Sequence, residues 1–82
     1  TVQLLCDTSM TGVIIDRFGA SVAMRPYDDT HILARAQVAV SPQFFGWLAG
    51  LSTHIRVISP DSVVNEYQIF LQEILRSYTD MQ

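Results

Sequence analysis

The side chains able to do nucleophilic, acid–base or soft-metal chemistry in this 82-residue chain reduce to one cysteine, Cys6, and two histidines, His31 and His54. A Cys/His site would need all three at one point. No two of them fall at metal-ligand spacing, and three different strands would have to converge to join them, so the sequence assigns them core and surface roles and yields no catalytic and no metal-binding residue. The paired carboxylates Asp28-Asp29 are adjacent in a turn, where side chains point apart and are solvated rather than sharing a proton. Four scattered glycines make no Gly-rich loop, so no phosphate cradle and no cofactor is expected. Arginines 17, 25, 35 and 56 project from strands and a helix end. Such guanidinium groups suit an anionic ligand or an acidic partner, or are simply the solvent-facing members of alternating strands. Arg17, at a helix end, and Arg25, on an edge strand, are the two candidates for an anion contact. A third candidate is Phe45, because one helix cannot turn Phe44, Phe45 and Trp47 towards the same interior; it is left for a subunit contact or for partial burial beside Gly46.

Placing these residues requires a folded scaffold, and the composition supports one. Hydrophobic residues make up 49% and charged residues only 16%, which excludes a disordered tail. At this length the chain is one domain, residues 1–82, burying only about 60% of its unfolded surface. Five arginines, no lysine and eight carboxylates give a net charge of −3, opposite in sign to what a phosphate backbone requires. Apolar runs such as Val13-Ile14-Ile15 fall far short of the roughly 18 residues a membrane span needs, so no membrane partner is expected. The chain opens on Thr1 without a starting methionine or signal peptide and reads as a fragment of a longer protein. One cysteine among apolar neighbours fits a reducing cytoplasm.

Val2, Leu4 and Cys6 alternate with polar residues and predict a strand over 1–7, blurred by Leu5 on the polar side. Thr8, Ser9 and Thr11 supply helix start signals, and Val13, Ile14 and Phe18 repeat at helical spacing until Gly19. Alternation returns over 21–27, with Pro26 confining that strand to an edge. The polar turn Asp28-Asp29-Thr30 joins it to a strand over 31–40, completing a hairpin. Ser41-Pro42 predicts a capped helix carrying Phe44, Trp47, Leu48 and Leu51 on one face. A short strand over 54–58 follows. Ser59-Pro60 then repeats the cap-and-proline start before a long helix with Val63, Tyr67, Phe70, Ile74 and Tyr78 in a stripe. Two strand-helix-strand units around a hairpin, each with a right-handed crossover, predict an α+β ferredoxin-like βαββαβ sandwich with an antiparallel four-stranded sheet and an extra C-terminal helix.

Three stretches also carry a family likeness: Val13-Ile14-Ile15-Asp16-Arg17-Phe18-Gly19, then Val40-Ser41-Pro42-Gln43-Phe44-Phe45-Gly46-Trp47, then Ile58-Ser59-Pro60-Asp61-Ser62-Val63 with Tyr67. Together they resemble the C-terminal extension (WCX) domain of bacterial WYL-domain, helix-turn-helix (DeoR-like) transcriptional regulators, over essentially the whole chain. The middle block is the most specific. One departure stands out: where the family usually has a glycine before the fourth strand, this chain has Ser52, so that turn is expected to differ locally.

The resemblance implies a ferredoxin-like regulatory domain that follows helix-turn-helix and WYL domains in the same chain. DNA would then be contacted only through the N-terminal domain, and much of the ligand sensing would lie in the WYL barrel. The present module would dimerise with a second copy and transmit the signal of a small-molecule or nucleic-acid effector. The alternative is a ferredoxin-like sensor of metabolites or nucleotides, with Arg17 or Arg25 holding an anion. A small ferredoxin-like hydrolase is disfavoured, since it needs an amide side chain in a phosphate-binding loop and the only asparagine, Asn65, falls in a helix.

Overall fold

In a computed structural model of the chain, which describes residues 1–81, β1 (Val2–Asp7) buries Val2, Leu4 and Cys6 and leaves Gln3, Leu5 and Asp7 half-covered. This is the period-2 pattern of a strand with one face in the core. A 3₁₀ turn leads into α1 (Thr11–Phe18), which ends at Gly19 with φ 93° and ψ 161°, a conformation open essentially to glycine alone. The hairpin β2 (Ala23–Pro26) and β3 (His31–Ala36) follows, then α2 (Pro42–Gly50), β4 (Ile55–Ser59) and α3 (Asp61–Thr79).

The strands form one antiparallel sheet in the order β2-β3-β1-β4, the ferredoxin-like arrangement in which each crossover strand skips its neighbour. The core joins the inward residues of β1, β3 and β4 to Ile14 of α1, to Phe44, Phe45 and Leu48 of α2, and to Val63 of α3. Cross-strand registers run Leu5 opposite Leu33, Leu33 opposite Arg25, and Leu5 opposite Arg56. A bulge between Gln3 and Leu4 leaves Ile58 as the extra residue of β4 and turns it outward.

Several boundaries differ from the sequence reading. β3 stops at Ala36 rather than residue 40, because Ala36 pairs with Val2 and β1 offers no partner beyond it. β2 is likewise trimmed from 21–27 to Ala23–Pro26. Ser41 caps α2 as expected, its hydroxyl accepting a hydrogen bond from the Phe44 N–H at 3.2 Å. Ser59 does not repeat that role. It is the last residue of β4, and the N-cap position of α3 falls on Pro60, whose carbonyl accepts from the Val63 and Val64 N–H groups.

Ser52 has φ 57°, so the turn into β4 keeps the left-handed backbone that a glycine would favour and places a serine in it. Ser52→Gly is therefore expected to stabilise the fold by about 1 kcal/mol. Urea unfolding should show a higher midpoint with an unchanged slope.

Candidate functional site

The alternation that buries one side of the sheet fixes what stands on the other. Opposite the helices lie Gln3, Leu5 and Asp7 from β1, His31, Leu33 and Arg35 from β3, Ala23 and Arg25 from β2, and Arg56 from β4. The two arginine candidates part company on this geometry. Arg25 belongs to the open face, whereas Arg17 ends α1 on the helical side, its guanidinium carbon 5.3 Å from the centroid of the Trp47 ring. That distance is a cation–π contact. Trp47 is in turn stacked on Phe44 and edge-on to Phe18. Arg17 is thus held against an aromatic stack.

Of the two places expected for Phe45, a subunit contact or burial, the structure shows burial. It is only 7% exposed, with ring centroids 5.3 Å from Tyr67 and 5.5 Å from Phe70. The helix α2 is sandwiched: Phe44 and Leu48 sit fully within the core, while Phe45 is covered by α3. The contact it makes is internal. Arg17, Arg25 and Phe45 therefore occupy three separate places rather than one site.

The Cys/His set is divided as well. Cys6 is fully buried on the core side, and desolvation, with a lesser contribution from neighbouring Asp7, pushes its thiol up to about 11. His31 and His54 each reach one carboxylate, Asp7, which the sequence alone does not single out. Asp7 Oδ2 accepts from His54 Nδ1 at 2.7 Å and its Oδ1 lies 3.5 Å from His31 Nε2. Asp28 adds a further contact of 2.9 Å to His31 Nδ1. The pairing of β1 with β3 puts His31 opposite Asp7. Among the described residues no group of three His, Cys, Asp or Glu side chains is arranged to hold a metal ion. What this cluster does structurally is tie the end of β1 to the start of β3 and to the turn before β4. The Asp28 carboxyl is held below its ordinary range, chiefly by the Thr30 backbone N–H donating at 2.8 Å and then by His31. Burial raises the Tyr67 phenol.

Arg35 and Arg56 complete the open face. With Arg25 they surround the apolar pair Leu5 and Leu33. Among the described residues no arginine lies within 4.0 Å of a carboxylate, every such pair being His–Asp.

The sequence pattern of the WCX domain matches residues 1–75, from the first strand to within the last helix. The chain belongs to the WCX domain family. Comparison with curated proteins gives no match, and neither does comparison with solved structures. Within this WCX domain no helix of the described residues is long and apolar enough to cross a membrane. The family match spans the whole open face and the aromatic junction between α2 and α3.

Two outcomes follow from the local electrostatics. Cys6 of the WCX domain, buried and held as a thiol, should resist iodoacetamide at neutral pH in the native state and react fully in denaturant, as mass spectrometry would record. For Asp28 the folded pKa lies below the unfolded one, so its stabilisation is present above the unfolded value and lost as pH falls through the folded value. The melting-temperature gap between the wild type and Asp28→Ala should narrow as pH falls below about 4.

Proposed function

We propose that this WCX domain is the regulatory and oligomerisation module of a bacterial WYL-type transcriptional regulator, placed after WYL and helix-turn-helix domains in one cytoplasmic chain. The observation that carries the reading is the second half of α3. From Leu71 onward every described residue is exposed, and Leu71, Ile74, Leu75 and Tyr78 fall at i, i+3, i+4 and i+7 on one stripe, Leu75 and Tyr78 each 67% exposed. A stripe of that kind at the projecting end of a helix is what a subunit contact would cover. DNA is contacted through another part of such a protein, consistent with the net charge of −3 here. The module itself catalyses no reaction; it transmits the state of the effector-binding domain through its contact with a second copy.

Multi-angle light scattering of the purified chain at high micromolar concentration tests this. A mass near twice 9.2 kDa is expected, reverting to one copy in the double variant Leu75→Glu, Tyr78→Glu without loss of the thermal transition. A wild-type chain that stays monomeric throughout, and whose parent regulator is monomeric too, ends the oligomerisation reading.

A further inference from the structure

The acidic composition conceals a local reversal of charge. Three of the five arginines, Arg25, Arg35 and Arg56, stand on three strands of the open sheet face, against one strand carboxylate, Asp7, which already serves His54 and His31, and Asp28 at the hairpin end, which serves His31. The register sets them out in rows. Arg25, Leu33, Leu5 and Arg56 lie directly opposite one another across the four strands, and the next row is Ala23, Arg35 and Gln3. Arg25 and Arg35 are thus diagonal neighbours, roughly 7–8 Å apart along the sheet, with Leu33 and Ala23 filling the other diagonal. Leu33 is only 9% exposed although it is not part of the main core cluster, so its cover comes from side chains on this face.

Between these side chains opens a cavity of ≈ 160 Å³, lined by Gln3, Ala23, Met24, Arg25, Leu33 and Arg35. That is close to the roughly 150 Å³ able to take a benzene ring. The lining is mostly apolar with two guanidinium groups and one amide.

We propose that this cavity binds a small monocarboxylate with an apolar body, an aryl or short branched alkyl acid. The guanidinium groups of Arg25 and Arg35 each donate to an oxygen of the carboxylate, Leu33 and Ala23 meet the hydrocarbon, and the Gln3 amide donates to a lone pair that the arginines leave free. A nucleotide fits less well, because no aromatic ring lines the cavity to stack a base and the volume holds a single small ring. An extended acidic partner fits less well too, because the concavity takes in Arg25 and Arg35 but not Arg56. The site is independent of whether α3 pairs with a second copy.

Benzoate is the probe. Titrated into the ¹⁵N-labelled 82-residue chain, it should give saturating amide shifts centred on Ala23, Arg25, Leu33 and Arg35, with a Kd on the order of 1 mM for so small a ligand. Acetate and benzyl alcohol, each lacking one half of the ligand, should bind about tenfold more weakly. Arg35→Gln should weaken benzoate about tenfold while leaving benzyl alcohol unchanged, and the double variant Leu75→Glu, Tyr78→Glu should bind benzoate as the wild type does. Non-saturating shifts, shifts spread evenly over the chain, equal binding of benzyl alcohol, or indifference to Arg35→Gln would each overturn the proposal. So would saturation by an acidic, leucine-containing peptide and not by benzoate, which would make the face a protein contact.

Discussion

Everything in this domain hangs on the alternation of β1. It is a central strand with neighbours on both sides, and Val2, Leu4 and Cys6 are the inward residues against which α1, α2 and α3 assemble. A slip of one residue in its pairing would carry that whole set to solvent and bring Gln3, Leu5 and Asp7 inside. The same register that builds the core therefore builds the opposite face. It sets Leu33 beside Leu5 and flanks them with Arg25 and Arg56. The chemistry available to the domain is a by-product of how the core is assembled.

The second organising contact is aromatic. Phe45, Tyr67 and Phe70 close the junction of α2 and α3, and with Val63 and Val64 they hold only the first half of the long helix. A helix of 19 residues is about 28 Å long, and its distal turns run past the body they are anchored to. This accounts for the elongated outline of 44 × 24 × 22 Å and for a radius of gyration of 13.6 Å, above the roughly 12 Å expected of a compact chain of this size.

Element order, hairpin and sheet topology were legible because they rest on local period and on the handedness of crossovers, and both act within short stretches of chain. Ser41 was legible for the same reason: the group its hydroxyl serves is three residues away. Phe45 was not, because its burial depends on α3 returning to cover a second side of α2, a long-range event that one helix's periodicity does not encode. Ser59-Pro60 misled by its likeness to Ser41-Pro42. There the strand kept the serine, and the helix began one residue later than the motif suggested. The meeting of His31 and His54 at Asp7 needed the pairing of three elements at once. Of the candidate site, Arg25 and Arg35 were both legible on their strands, while their diagonal adjacency and the place of Gln3 beside Arg35 became visible only through the register.

The two borders of the sheet bear on how copies of such a domain can meet. One border is β2, four residues long and closed by a proline that has no N–H to offer. The other is β4, irregular at Ile58 and flanked by α3. Neither presents a long regular ladder of free backbone groups, so strand-to-strand docking, which propagates into open-ended fibrils, is disfavoured at both ends. Copies that approached one another would do so through side chains, and side-chain interfaces related by a two-fold axis close on themselves after two subunits.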